Sequence, residues 1–364
     1  MTDAASNDPA VPGGLIREAW LFVLFAVCGV AAVWHVTGHT VVSLEKLAAF
    51  QETAPFQYRL LVPAMVRVAH DISGWPMFHL YVVAEWAGWV LLVLAAQQAL
   101  VALSPRLSWQ ATRLVALTAI VAVGAQLMAP VRFRAFQGAA MVGDVNGLLN
   151  GGAASLRILS NVYYPWDIWT AALLMLLIAA ALRLRHSIAP QSVAAYAALF
   201  LVASLNRETT ILIVPFSLWA LAPRVTRAQL AGFAVMQAVF WIAVRAFVVW
   251  ITGAPPNPKS SLPGGAEWYL WTNLRTLTYP LYAATVLVPF AGGAWLPLMA
   301  WWGERPPLAR ALLVWYVVPA AAIAFMLGIV HETRVFTEAA TATWLAATVT
   351  AHAHGMAPSR PNHA

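Results

Sequence analysis

The chain has 364 residues, of which 61% are hydrophobic and 10% charged, with a net charge of +7. A soluble domain holds about 25% charged residues, so this composition excludes one and points to a polytopic helical membrane protein with apolar runs near the ~20 residues that cross a bilayer. The basic residues are scattered in pairs along loops, which excludes a nucleic-acid surface, and the single cysteine, Cys28, excludes a disulfide framework and a cysteine zinc site.

Residues 1–14 are polar and read as a disordered tail, residues 15–350 as a single transmembrane helical domain, and residues 351–364 as a second disordered tail. The first span is 19–36. A loop over 37–76 follows, and within it residues 52–71 read as a helix lying along a membrane surface. Leu60, Leu61, Ala64, Met65 and Val68 fall on one side at helical spacing, while Arg59, Arg67, His70 and Asp71 gather on the other. That helix is placed outside the cytoplasm, roofing a cavity between the spans.

The second span, 77–103, carries Glu85, and the third is 112–131. A Gly- and Asn-rich loop over 132–165 contains a short helix near 155–162 and leads to the fourth span, 166–183. Pro190 opens the fifth, which stops at Asn206-Arg207-Glu208; the sixth is 209–222 and the seventh, with Arg245, is 229–252. After a loop over 253–279 come the eighth span, 280–302, the ninth, 309–330, and the tenth, 335–350. Many of the 18 tryptophans stand at the ends of these runs, as an interfacial belt requires.

Orientation follows from four short turns, each with two arginines: Arg106 and Arg113, Arg183 and Arg185, Arg224 and Arg227, Arg305 and Arg310. With ten spans all four share one side, which the positive-inside rule makes cytoplasmic, and both termini lie there too. Glu45, Glu52, Asp71, Asp144, Asp167, Glu208, Glu267, Glu332 and Glu338 then face outward. The expected architecture is all-α: a polytopic bundle of about ten spans with an amphipathic surface helix in the first outer loop.

Asn206-Arg207-Glu208-Thr209 interrupts an apolar stretch of 33 residues, 190–222. Each half is about sixteen residues, or ~24 Å long, short of the ~30 Å hydrocarbon core. The charges therefore sit below the outer surface, where ionised groups mark a pathway, a ligand or a pair. His331-Glu332-Thr333-Arg334, before the short last span, repeats the pattern. Two readings stay open. In one, Arg207 pairs with Glu332 and Glu208 with Arg334, stitching the bundle together. In the other, the same arginines also hold a phosphate, with carboxylates keeping them in place when the site is empty. Asp167 reads first as a charge on a helix N-terminus.

Gly-x-Ser-x-Gly and His-Glu-x-x-His are both missing, and the glycines between 138 and 152 precede no Lys-Ser/Thr phosphate loop, so these hydrolase and nucleotide chemistries are excluded. No metal site and no cofactor is implied.

Pro55-Phe56-Gln57-Tyr58-Arg59 with Val62-Pro63, Tyr164-Pro165-Trp166-Asp167, Asn206-Arg207-Glu208-Thr209 and Glu332-x-Arg334 resemble the pattern of an uncharacterised family of bacterial multi-pass membrane proteins. More distantly, the layout is similar to GT-C type glycosyltransferases, which use polyprenyl-phosphate sugars. That resemblance implies a bacterial cytoplasmic membrane, a catalytic acid in the first outer loop, and arginines on the lipid phosphate. Carried over, Glu45 or Glu52 is the base, and Arg59, Arg207 and Arg334 contact phosphate, with Asp167, Glu208 and Glu332 beside them. The first loop departs from that family in lacking an Asp-Asp or Asp-x-Asp pair. The implied partners are membrane lipids and a polyprenyl-phosphate-linked sugar. A secondary transporter, a lipid flippase or a noncatalytic assembly partner are the alternatives from other classes.

Overall fold

A computed structural model describes residues 13–37, 43–52, 59–103, 109–127, 163–253, 269–278, 283–284, 287–328 and 333–355. Both tails beyond these, most of the loops over 132–165 and 253–279 with the short helix expected near 155–162, and His331 and Glu332 lie outside the described residues. What is described is all-helical, with no strand among the described residues. Five helices are long and apolar enough to cross a membrane: Glu18–Val36, Met77–Leu103, Asp167–His186, Arg227–Thr252 and Pro307–Leu327.

In chain order the helices are α1 (Gly13–Val36), α2 (Leu44–Ala48), α3 (Leu61–Ser73), α4 (Met77–Leu103), α5 (Trp109–Leu127), α6 (Asp167–His186) and α7 (Pro190–Asn206). A 3-10 turn, Glu208–Ile213, leads into α8 (Val214–Leu221); then follow α9 (Arg227–Thr252), α10 (Leu270–Leu277), α11 (Trp295–Ala300), α12 (Pro307–Leu327) and α13 (Thr337–Gly355). Local chemistry sets several ends. Pro190 stands at the start of α7, where its missing N–H costs nothing. Thr226 and Gln229 form a capping box at the start of α9.

α6 is the axis of the bundle. In its most apolar window 78% of residues are buried, against 17% for α9, which runs along the periphery. α4 packs along α6 so closely that a Cβ on Gly88 would meet Ile168 Cγ2 at 2.7 Å and Trp169 Nε1 at 2.9 Å. A small residue is what lets the two backbones approach. α13 is buried along most of its length against α5, α6 and α12. A buried His35–Glu85 pair, with Nδ1 2.6 Å from Oε1, clasps α1 to α4.

Among the described residues several segments depart from plain helix, and two of them interrupt expected spans in the C-terminal half of the chain. The apolar run expected as one span over 280–302 is broken: Phe290–Gly293 forms a 3-10 turn with Ala291, Gly292 and Gly293 at positive φ. Gly292, at φ 62, packs its α-carbon against α5, where an added Cβ would lie 3.1 Å from Ala122 Cα. Within α12, residues Leu313–Val317 widen into a π-helix just before Pro319. Pro319 has no N–H to offer the preceding turn and crowds its carbonyl, and a widened turn relieves both.

Residues of the first loop fold onto the bundle. α3 packs Val62 and Val66 against Leu80, Tyr81 and Ala84 of α4, leaving Met65, Val68 and Ile72 exposed. The backbone N–H of Leu60 donates to the Leu205 carbonyl at 3.0 Å, tying the start of α3 to the end of α7. α2 rests through Leu44 and Leu47 on Tyr164 and Trp166.

Candidate functional site

The site forms where α7 ends inside the protein. Arg207 is a single extended residue, φ −154 and ψ 141, between α7 and the 3-10 turn. A helix break buried in protein must find partners for the backbone groups it frees, and here side chains supply them. Asn206 Nδ2 donates to Trp166 O at 3.1 Å and to Thr170 Oγ1 at 2.8 Å, fastening the end of α7 to the start of α6. Thr210 Oγ1 donates to the Ala203 and Arg207 carbonyls. Trp241 Nε1, from α9, donates to Glu208 O at 2.8 Å.

With its backbone held, Arg207 projects to Asp167, the first residue of α6. Arg207 NH1 lies 3.6 Å from Asp167 Oδ1, and Arg334 NH1 lies 3.9 Å from Oδ2. Asp167 is fully buried, and Arg207 and Arg334 are 5% and 6% exposed. At these separations the groups attract but do not hydrogen-bond. Both Asp167 oxygens, and Nε and NH1 of Arg207, lack a hydrogen-bond partner among the described residues. A fully buried carboxylate thus faces two guanidinium groups across a gap.

The arginines are held by more than that carboxylate. The Arg334 guanidinium stacks 3.7 Å above the Tyr164 ring, and that of Arg59 lies 4.8 Å from the Trp166 ring centre. Such stacking over aromatic faces is favourable and fixes the plane of the fork. Arg59 NH2 also donates to Glu208 Oε1 at 3.1 Å. Arg245, from α9, reaches the Ser204 carbonyl on the same flank. Glu338, in the first turn of α13, accepts from Thr209 Oγ1 at 2.7 Å. Tyr163 sits edge-on to His35, with ring centres 5.0 Å apart, and burial, with the Glu85 carboxyl next, holds its hydroxyl well above the usual phenol range.

Of the residues expected from the sequence, Arg59, Asp167, Arg207, Glu208 and Arg334 meet in this cluster. Glu332 lies outside the described residues. The expected Arg207–Glu332 pair therefore lies outside the described residues; Glu208 is held by Arg59, not Arg334, and Arg207 and Arg334 converge on Asp167. The reason is the backbone bond from Leu60 to Leu205, which brings Arg59 over the break. Asp167 is still a first-turn charge on α6, but it serves two arginines as well.

Glu45 and Glu52 stand apart, in the part of the first loop that rests on Tyr164 and Trp166. Glu45 is exposed and accepts from Ser43 Oγ at 2.9 Å; Glu52 accepts from the Ser43 N–H at 3.3 Å. The sequence reasoning missed Glu338 as a member of the cluster. Its signal was the spacing of four residues from Arg334, one helical turn.

The cluster holds four guanidinium groups (Arg59, Arg207, Arg245, Arg334) and three carboxyls (Asp167, Glu208, Glu338) among the described residues. Clustered forks, with Nε and NH1 of Arg207 unpaired among the described residues, are the chemistry of phosphate recognition. No group of three or more His, Cys, Asp or Glu that could hold a metal ion occurs among the described residues. No family model, no curated protein and no solved structure matches the chain.

Proposed function

We propose that the chain is a membrane-embedded bundle of about ten spans whose outer face binds the phosphate of a polyprenyl-phosphate sugar, and that it transfers the sugar as a GT-C-like glycosyltransferase. The observation that carries this reading is Asp167, fully buried between Arg207 and Arg334 without a hydrogen bond, with Arg59 beside them. The Nε and NH1 donors of Arg207, left unused in a buried place, suit an incoming phosphate, whose oxygens would accept them bidentately.

Orientation in a bacterial cytoplasmic membrane rests on α6. Asp167 opens the helix and Arg183 and Arg185 close it, about 25 Å away at 1.5 Å per residue. The paired arginines then belong to the cytoplasmic side, with both termini, and the cluster to the outer side. α3, with Met65, Val68 and Ile72 turned outward, would lie at the outer lipid surface.

Transfer from a lipid phosphate needs cations on the leaving phosphate and a carboxylate to take the acceptor's proton. Arg59, Arg207 and Arg334 supply the first. Glu45 or Glu52, gathered by Ser43 above the Tyr164–Trp166 platform, supplies the second. Purified protein incubated with labelled polyprenyl-phosphate sugars should transfer sugar, and Glu45→Gln or Glu52→Gln should abolish transfer while leaving donor binding intact. Both variants turning over at the wild-type rate would remove the base from this pair.

A secondary transporter or lipid flippase is the second reading, favoured by the broken backbone at Phe290–Gly293 and the π-helix at Leu313–Val317. Discontinuous helices are where transporters bind and move their cargo. Substrate-dependent flux into liposomes without transfer would favour it.

A further inference from the structure

Glu338 is the carboxyl of the cluster that the arginine geometry explains least. It is 5% exposed and accepts a hydrogen bond from the neutral Thr209 hydroxyl. Its side chain lines a small cavity together with Thr170, Thr210 and Tyr316, walled by apolar residues including Leu173, Leu177 and Ile213. The cavity has room for about one water molecule. Thr170 Oγ1 donates to Trp166 O and accepts from Asn206 Nδ2, and Thr210 Oγ1 donates to backbone carbonyls, so neither hydroxyl has a proton left to offer Glu338. A carboxylate among acceptors and leucine side chains is poorly supported, whereas a neutral carboxyl can donate to them.

Asp167 is in the opposite situation, with two guanidinium groups facing it. The ionisable groups that face Glu338 are Arg207 and Glu208 from the break, Arg59 from the start of α3 and Tyr316 from α12, with Asp167 beyond Arg207. Arg207 is the main counter-charge. A phosphate that takes the fork of Arg207 both draws off that counter-charge and adds a negative charge nearby, and each change favours the neutral form of a carboxyl.

We propose that an anion enters the arginine cluster together with a proton, and that Glu338 carries the proton. This rests on the anion-site reading above. In the step, a carboxylate oxygen of Glu338 takes one proton from solvent to give the neutral carboxyl, and no other bond forms or breaks. By linkage, acid tightens anion binding and anion binding draws in a proton. In the transferase reading this makes donor loading favoured by an acidic outer face; in the transporter reading it makes the anion travel with a proton.

The test is calorimetry on the full chain in nanodiscs, in buffers of different ionisation enthalpy, between about pH 5 and about pH 9. Two phosphodiesters of fixed single charge serve as probes, dimethyl phosphate for the free anion and farnesyl phosphoryl glucose for the lipid headgroup. The wild type should take up about one proton per anion bound, with affinity falling about tenfold per pH unit where Glu338 is ionised when empty. Uptake with both probes assigns the effect to the phosphate group itself; uptake with the lipid probe alone assigns it to the headgroup. Glu338→Gln should bind with a pH-independent affinity and no proton uptake. Wild-type binding that is flat in pH and indifferent to buffer overturns this inference and leaves the anion site standing, as does a Glu338→Gln variant that keeps the full slope. Binding of neither probe overturns the anion site and this inference together.

Discussion

Two apolar stretches of the chain break inside the protein, and they break differently. Phe290–Gly293 turns with Ala291, Gly292 and Gly293 at positive φ, Gly292 pressed to the backbone of α5 and Pro289 O taken by Gln126 Nε2 at 3.2 Å. That turn contains no ionisable residue. Asn206–Ile213 ends a helix with one extended residue, satisfies its backbone with Asn206, Thr210 and Trp241, and then gathers buried charges around it. A helix in this bundle can thus end without charged side chains, so backbone geometry does not explain why the second break carries arginines. Buried charge is expensive and tends to be functional.

The largest expected effect is at the charged break. Asp167→Ala leaves Arg207 and Arg334 without their buried counter-ion and should cost about 3–5 kcal/mol, read as lost folded protein or a strongly lowered midpoint in thermal unfolding. Pairing Asp167→Leu with Arg207→Met should recover much of that stability while anion binding stays absent. An Asp167→Ala protein that melts like the wild type would mean that the charges do not depend on each other.

Gly292→Ala sharpens the contrast from the other side. A side chain at positive φ, with its Cβ 3.1 Å from Ala122 Cα, should cost about 1–2 kcal/mol. Anion binding should be unchanged, since that break is structural. The comparison fails if Gly292→Ala weakens anion binding as much as a change at Arg207.

The smallest effect belongs to the exposed charges of α3. Arg67 and Asp71 pair at 2.9 Å, but their side chains are 45% and 54% exposed. Arg67→Ala should cost no more than about 0.5 kcal/mol in the same unfolding measurement and leave anion binding alone. A larger loss would show that α3 is held by its charges and not by Val62 and Val66.

Apolar run length made α4 legible to the residue, since both the expected span and the helix are 77–103. It did nearly the same for α9, expected over 229–252 and found as Arg227–Thr252. The run over 280–302 misled because hydropathy does not register a turn buried against α5; Gly292-Gly293 was the available sign. The depth argument, which depends only on the lengths of its neighbours, singled out Asn206-Arg207-Glu208-Thr209, where Asn206 and Arg207 are buried in protein. Partner choice was not legible, because it depends on how α6, α7 and α13 pack. Asp167 precedes Arg207 by two whole helices and the turn between them, and nothing local joins them. Arg59 reaches Glu208 through a backbone bond between Leu60 and Leu205 that no spacing foretells. Glu338 stood four residues beyond Arg334 and could have been read from that spacing.

The central claim is that the arginine forks bind a lipid phosphate. It is tested most directly by measuring binding of a labelled polyprenyl-phosphate sugar to the purified full chain, to Arg207→Lys and to Arg334→Lys. Lysine keeps the charge but loses the planar fork, and with it a charge-assisted bond and the stacking on Tyr164. The wild type should bind saturably, and each lysine variant, still folded, should bind at least about tenfold more weakly. Absence of saturable binding to the wild type, or equal binding by all three proteins, would contradict the account.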